Sequence, residues 1–167
     1  MAVAAALAAG IALGLLLAPS PPQALSLQSE FQGRLKAALD LVDYAPVNVT
    51  TSELGIHLTS GCLRLTLAAL PAQTQSVANG LAGRIDVRPN AHDLMAEMLR
   101  AFNTTLLQIR VERLAGDVYY GRLNLQQGST ILSLDARPSD AIALAVRLNG
   151  TVHVNSTLLQ KEGRGVC

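Results

Sequence analysis

Two short polar segments hold most of the residues able to do chemistry in a chain that is otherwise rich in apolar side chains. One is Arg88-Pro89-Asn90-Ala91-His92-Asp93, and the other is Asp135-Ala136-Arg137-Pro138-Ser139-Asp140. Each leads into a run with helical spacing, so each marks a helix start. A helix start offers unpaired backbone N–H groups and the positive end of the helix dipole, which together suit an anion such as phosphate. The carboxylates Asp93, Asp135 and Asp140 could instead collect a hard divalent cation such as Mg²⁺, which takes oxygen ligands. The same residues have a purely structural reading. Asn90 with Asp93 three residues on has the spacing of a capping box. Ser139 and Asp140 are ordinary cap and first-turn residues, and Arg88 and Arg137 could be the ion-pair partners of the aspartates. Spacing alone leaves both readings open. The chain has no phosphate-binding glycine loop, no His-Glu-x-x-His, no nucleophile elbow and no paired CxxC. His57, His92 and His153 lack metal-ligand spacing.

The elements that must position these segments follow from periodicity. Residues 90–102 place Ala91, Leu94, Met95, Met98, Leu99 and Phe102 at helical spacing behind an Asn90 cap. Pro138 or Ser139 opens a helix to Leu148, closed by Asn149-Gly150. Further helices are expected over 30–42, 71–81 and 156–160. Strands are expected over 47–51, 56–58, 62–67, 106–114, 118–125, 130–134 and 151–154. The turns Gly116-Asp117 and Gln127-Gly128-Ser129 make three of these a meander, hence antiparallel. The expected fold is a single α+β domain. Its sheet is antiparallel or mixed, partly open and barrel-like, and flanked by helices.

The 167 residues carry 50% apolar and 15% charged side chains and a net charge of +1. That composition excludes disorder as the main state and a strongly basic nucleic-acid arm. Aromatics at 3%, with no Trp, argue against an aromatic base-stacking platform. Residues 1–18 have no charge, and Pro19-Ser20-Pro21-Pro22 follows. Residues 1–26 therefore read as an apolar signal peptide or membrane anchor with a proline-rich linker. Residues 27–167 read as the domain, and the chain as exported or membrane-associated. Cys62 and Cys167 could form one bridge, but two free thiols is the commoner reading, since their spacing says nothing about their separation in space.

The segment Asp135-Ala136-Arg137-Pro138-Ser139-Asp140-Ala141-Ile142-Ala143-Leu144-Ala145 resembles the signature of the bifunctional nuclease family, or BFN domain. Arg88-Pro89-x-x-His92-Asp93-Leu94 resembles that family's second motif, and Tyr119-Tyr120-Gly121-Arg122-Leu123 sits where the family has a Phe/Tyr-Tyr-Ala strand. The resemblance is strongest over residues 87–162. It implies a compact α+β domain, a homodimer, and hydrolysis of phosphodiester bonds in DNA and RNA. By motif it makes His92, Asp93, Asp135 and Asp140 the candidate catalytic residues, and Arg88, Arg137 and Ser139 the substrate-binding ones. In the expected division of labour the carboxylates position a metal such as Mg²⁺ and water, His92 moves a proton, and Arg137 holds phosphate. The chain departs from the family at Leu70-Pro71-Ala72-Gln73-Thr74, where Gln73 stands at an acidic position, and in its apolar start and divergent first half. From Arg84 onward ten Lys+Arg face eight Asp+Glu, a small excess for a nucleic-acid face. The competing expectation is a non-catalytic interaction or dimerisation module of the same fold, exported or membrane-anchored.

Overall fold

A computed structural model describes residues 22–167; the apolar stretch over 1–18 and the first part of the expected linker lie outside the described residues. In chain order the elements are α1 (Pro22–Leu39), β1 (Tyr44–Pro46), β2 (Asn48–Ser52), β3 (Gly55–Ser60), β4 (Leu63–Leu67), α2 (Pro71–Leu81) and α3 (Ala91–Ala101). There follow β5 (Thr104–Ala115), β6 (Val118–Gln127), β7 (Thr130–Ala136), α4 (Pro138–Leu148), β8 (Val152–Asn155), α5 (Ser156–Glu162) and β9 (Arg164–Gly165).

The meander β5–β6–β7 is antiparallel, as its two glycine turns require. Gly116 and Gly128 both take left-handed backbone, φ 59° and 55°, which costs glycine nothing. β8 returns after α4 and pairs with β5 in parallel, through the crossover that a parallel pair needs. The result is a five-stranded mixed sheet in the order β1-β8-β5-β6-β7, beside a four-stranded antiparallel sheet in the order β2-β3-β4-β9. The fold is α+β with no closed barrel.

α4 is the buried helix. Ala141, Ile142, Ala143, Leu144 and Ala145 are all in the core, with Ile109, Val111, Leu123 and Leu125 of the large sheet beside them. α2 packs on its other side. Gly80 makes this approach close: a Cβ there would lie 2.4 Å from Val146 Cγ2 and 2.8 Å from Arg147 Nη1. Ile56, Leu58, Leu65 and Leu67 of the small sheet close the same core.

Two expectations need correction, and two features are new. Cys62 and Cys167 are not free thiols but form a disulfide, because β9 pairs with β4 and Val166 N–H bonds to the Cys62 carbonyl, which brings the C-terminus to the β3–β4 turn. The first helix starts at Pro22 and ends at Leu39, so the expected boundary at 26/27 falls inside it. The chain over 44–46, between the expected helix and the first expected strand, is strand β1 on β8. α1 crosses the outer face of the large sheet. Its Ala38 carbonyl accepts from Gln108 Nε2 and from Asn124 Nδ2 at 3.3 Å, and Arg34 Nη2 donates to the Ile131 carbonyl at 2.8 Å. Finally, the apolar face of α3 is largely uncovered: Leu94, Met95, Met98 and Phe102 are all exposed. Among the described residues no helix is long and apolar enough to cross a membrane.

Candidate active site at two helix starts

α3 begins as its sequence dictates. Asn90 Oδ1 accepts from the backbone N–H of His92 at 2.8 Å and of Asp93 at 3.1 Å, and Asp93 Oδ2 accepts from Asn90 N–H at 2.9 Å. This reciprocal cap fixes the first turn and with it the direction of His92. α4 begins differently. Its cap position is Arg137, whose side chain makes no capping bond, with Pro138 at the first helical position. Ser139 therefore lies inside the helix. Its Oγ accepts from Gln73 Nε2 at 3.1 Å, while Gln73 Oε1 accepts from Leu70 N–H at 3.0 Å. The amide at the expected acidic position thus ties α2 to the start of α4.

Between the two starts lies a continuous polar chain. His92 Nδ1 is 3.0 Å from Ser76 Oγ, and His92 Nε2 is 3.5 Å from Asp140 Oδ1. Asp140 Oδ2 accepts from Arg137 Nε at 2.7 Å. Ser76 is buried and already accepts from Asn90 Nδ2 at 3.2 Å and from Arg147 Nη2 at 3.3 Å. With both lone pairs taken, its hydroxyl proton is directed at His92 Nδ1. The neutral imidazole then carries its proton on Nε2, aimed at Asp140. Ser76 orients the ring; its buried oxygen and its donors rule out a nucleophilic role.

Beneath this surface Arg147 braces the two helices. Its side chain is 6% exposed and donates from Nε to Asp93 Oδ1 at 2.6 Å, from Nη1 to the Ser76 carbonyl at 3.0 Å and to the Ala143 carbonyl at 2.8 Å. Burial alone would push the Asp93 carboxyl up, but the Arg147 guanidinium and the Asn90 N–H outweigh it and hold the group below the usual carboxylate range. Asp93 thus serves as cap and buried ion-pair partner, facing inward.

The structure gathers His92, Asp140, Arg137 and Ser139 and leaves two expected residues apart. Asp135 is exposed on β7, directly across from Arg122. Arg122 holds Glu112 through two bonds of 3.0 and 3.2 Å, and its charge also faces Asp135. Arg88 is exposed and forms no ion pair among the described residues. Two partners escape sequence reasoning. Ser76 shows no motif signal, and Arg147 shows only that it follows Asp140 by seven residues, two turns along one helix face.

The donor set does not fit a divalent cation held by this chain alone. Among the described residues no three of His, Cys, Asp and Glu come together, and the one carboxylate beside His92 is already engaged by Arg137. The surface arrangement can instead grip an anion. Arg137 is 71% exposed, His92 offers an N–H, and the start of α4 adds the positive end of its dipole.

Residues 60–166 match the family described as the bifunctional nuclease domain. The chain is 32% identical over 82 residues to Bifunctional nuclease 1 of Arabidopsis thaliana, covering 47% of this chain and 25% of that protein. It is 30% identical over 79 residues to Bifunctional nuclease 1 of Oryza sativa subsp. japonica, covering 46% and 24%. An uncharacterized protein of Mycobacterium tuberculosis is 29% identical over 76 residues, 46% of this chain and 44% of its own length. In each case the match spans less than half of the relative. The motif pair, the α+β fold that brings both motifs to one surface, and the match over most of the chain agree: this protein belongs to the bifunctional nuclease domain family.

Proposed function

We propose that the chain is a phosphodiesterase acting on DNA and RNA, with its reaction centre on the surface formed by His92, Asp140 and Arg137. The observation that carries this reading is the placement of an exposed guanidinium and an oriented imidazole N–H on either side of one carboxylate, at an uncapped helix start. A phosphate arriving there takes over the Arg137 guanidinium in a charge-assisted bidentate contact and frees Asp140 Oδ2. His92 Nε2–H donates to a non-bridging oxygen, where negative charge grows in the transition state. Asp140 accepts the proton of the attacking water, or of a ribose 2′-hydroxyl, as the new O–P bond forms and the bond to the leaving oxygen breaks. The leaving oxygen takes its proton from solvent. His92 thus acts as an oriented donor, in place of the proton carrier expected from the sequence. A divalent ion such as Mg²⁺ remains compatible as a companion of the bound phosphate, since Mg²⁺ commonly takes one or two carboxylates plus substrate oxygens.

Two further proposals concern setting and assembly. The Cys62–Cys167 disulfide supports folding in an oxidising compartment, and with the apolar residues 1–18 it supports export or membrane association. The exposed apolar face of α3, together with Leu132 and Leu134 exposed on edge strand β7, supports a homodimer. It is also what favours the interaction-module reading.

The test uses the full chain with end-labelled single-stranded RNA and DNA, with and without added Mg²⁺. Cleavage of both is expected. Arg137→Gln removes a charged contact worth about 1.5–3 kcal/mol, so its kcat/KM should fall by roughly ten- to a hundredfold. Absence of cleavage under both conditions overturns the proposal.

A further inference from the structure

A cleft of about 260 Å³ opens directly beside the reaction centre, lined by Gln73, Asp117, Tyr119, Arg137 and Ser139 among others. It is smaller than the roughly 300–1,000 Å³ of clefts that bury a drug-sized ligand. It has room for one planar ring system. Arg137 and Ser139 belong to the start of α4, where the phosphate is proposed to sit. Asp117 lies in the β5–β6 turn, exposed, and its carboxylate is in no ion pair among the described residues. The lining of the cleft therefore holds a phosphate-binding cation, the half-buried Tyr119, and a carboxylate in no ion pair among the described residues.

We infer that this cleft is the base subsite of the proposed nuclease and that Asp117 makes it selective for guanine. The inference rests on the nuclease reading for the position of the phosphate. A carboxylate has two acceptor oxygens and no donor. Guanine presents two adjacent donors, N1–H and the N2 amino group, on its Watson–Crick edge. Adenine and cytosine present one amino group next to a ring-nitrogen acceptor, which the carboxylate repels. Uracil and thymine present a single N–H between two carbonyls. Only guanine satisfies both Asp117 oxygens, through two charge-assisted hydrogen bonds that the other bases cannot reproduce. Tyr119 supplies a ring on which an unstacked base can lie. Asp117 reads the Watson–Crick edge, which is hidden in a base pair, so the substrate is a single strand or a nucleotide turned out of a duplex.

The test is titration of the full chain with 5′-GMP, 5′-AMP, 5′-CMP and 5′-UMP, followed by calorimetry. The wild type should bind GMP about tenfold or more tightly than the other three. Asp117→Asn and Asp117→Ala should bind all four alike. Arg137→Gln should weaken all four by a similar factor, because it serves the shared phosphate. Equal binding of the four by the wild type overturns the subsite, as does a GMP preference that survives both Asp117 variants. Mapping of cleavage sites separates the two claims. A chain that cleaves without GMP preference overturns the subsite and leaves the nuclease reading. A chain that prefers GMP but cleaves nothing overturns the nuclease reading and supports the subsite.

Discussion

Replacing Arg147 by Met should be the most damaging single change near the site, although the Arg147 side chain is almost entirely covered. Its guanidinium donates to Asp93 Oδ1, to the Ser76 carbonyl and hydroxyl, and to the Ala143 carbonyl. With Arg147 6% exposed and Asp93 10% exposed, water can replace these bonds only in part. Arg147→Met would leave a buried carboxylate without its cation, a loss of about 3–5 kcal/mol. At this chain length each kcal/mol shifts the melting temperature by roughly 2–4 °C, so a drop of about 6–20 °C is expected. The pair Arg147→Met with Asp93→Asn should recover part of the loss, since no unpaired charge remains. Urea and thermal unfolding of the wild type, both single variants and the double variant form the cycle that measures this coupling. A single Arg147→Met variant within about 1 kcal/mol of wild type would refute the argument that this ion pair braces the start of α3 against α2 and the last turn of α4.

Other outcomes follow from the same structure. Because the Asp93 carboxyl is held below its usual range, it adds stability above the unfolded value near 3.9, and that stability is lost as pH falls through the lower folded value; Asp93→Asn should flatten that acid limb in melts run from neutral pH downward. Reducing the Cys62–Cys167 bridge opens a sequence separation of 105 residues; a loss of about 2–4 kcal/mol should appear as a melting temperature lowered by dithiothreitol, and no change in Cys62→Ser would count against it. The α3 face should bring two copies together, so light scattering should report a dimer that Phe102→Lys and Met98→Glu convert to monomer; a wild type that stays monomeric at micromolar concentration removes that proposal.

The α+β class, the meander, and the starts of α3 and α4 were legible because local signals set them. The Asn90 cap, the Gly116 and Gly128 turns, and Pro138 each act within a few residues. What was not legible depends on distant partners. Cys167 meets Cys62 only because the two-residue β9 finds β4, and nothing in a two-residue strand has a period to detect. The helical spacing of Leu94, Met95, Met98 and Phe102 correctly gave a helix, but period alone does not say whether the apolar face meets this chain's core or something else. The motif residues separated for a geometric reason. Asp135 and Asp140 are five apart, yet a strand end and a helix turn intervene, so Asp135 faces Arg122 on the outer side of the sheet while Asp140 faces His92. Ser76 and Arg147, which orient the imidazole and brace Asp93, come from α2 and the last turn of α4 and carry no local mark.

The central claim is that Asp140, between His92 and Arg137, takes the proton of the attacking oxygen. The measurement that tests it most directly is single-turnover cleavage of a single-stranded oligonucleotide by wild type and by Asp140→Asn, each at a temperature well below its own melt. Loss of a positioned general base should slow cleavage by about a hundredfold or more, while binding of the oligonucleotide is retained or strengthened as a negative charge leaves the phosphate site. An Asp140→Asn protein that cleaves at the wild-type rate would contradict the account.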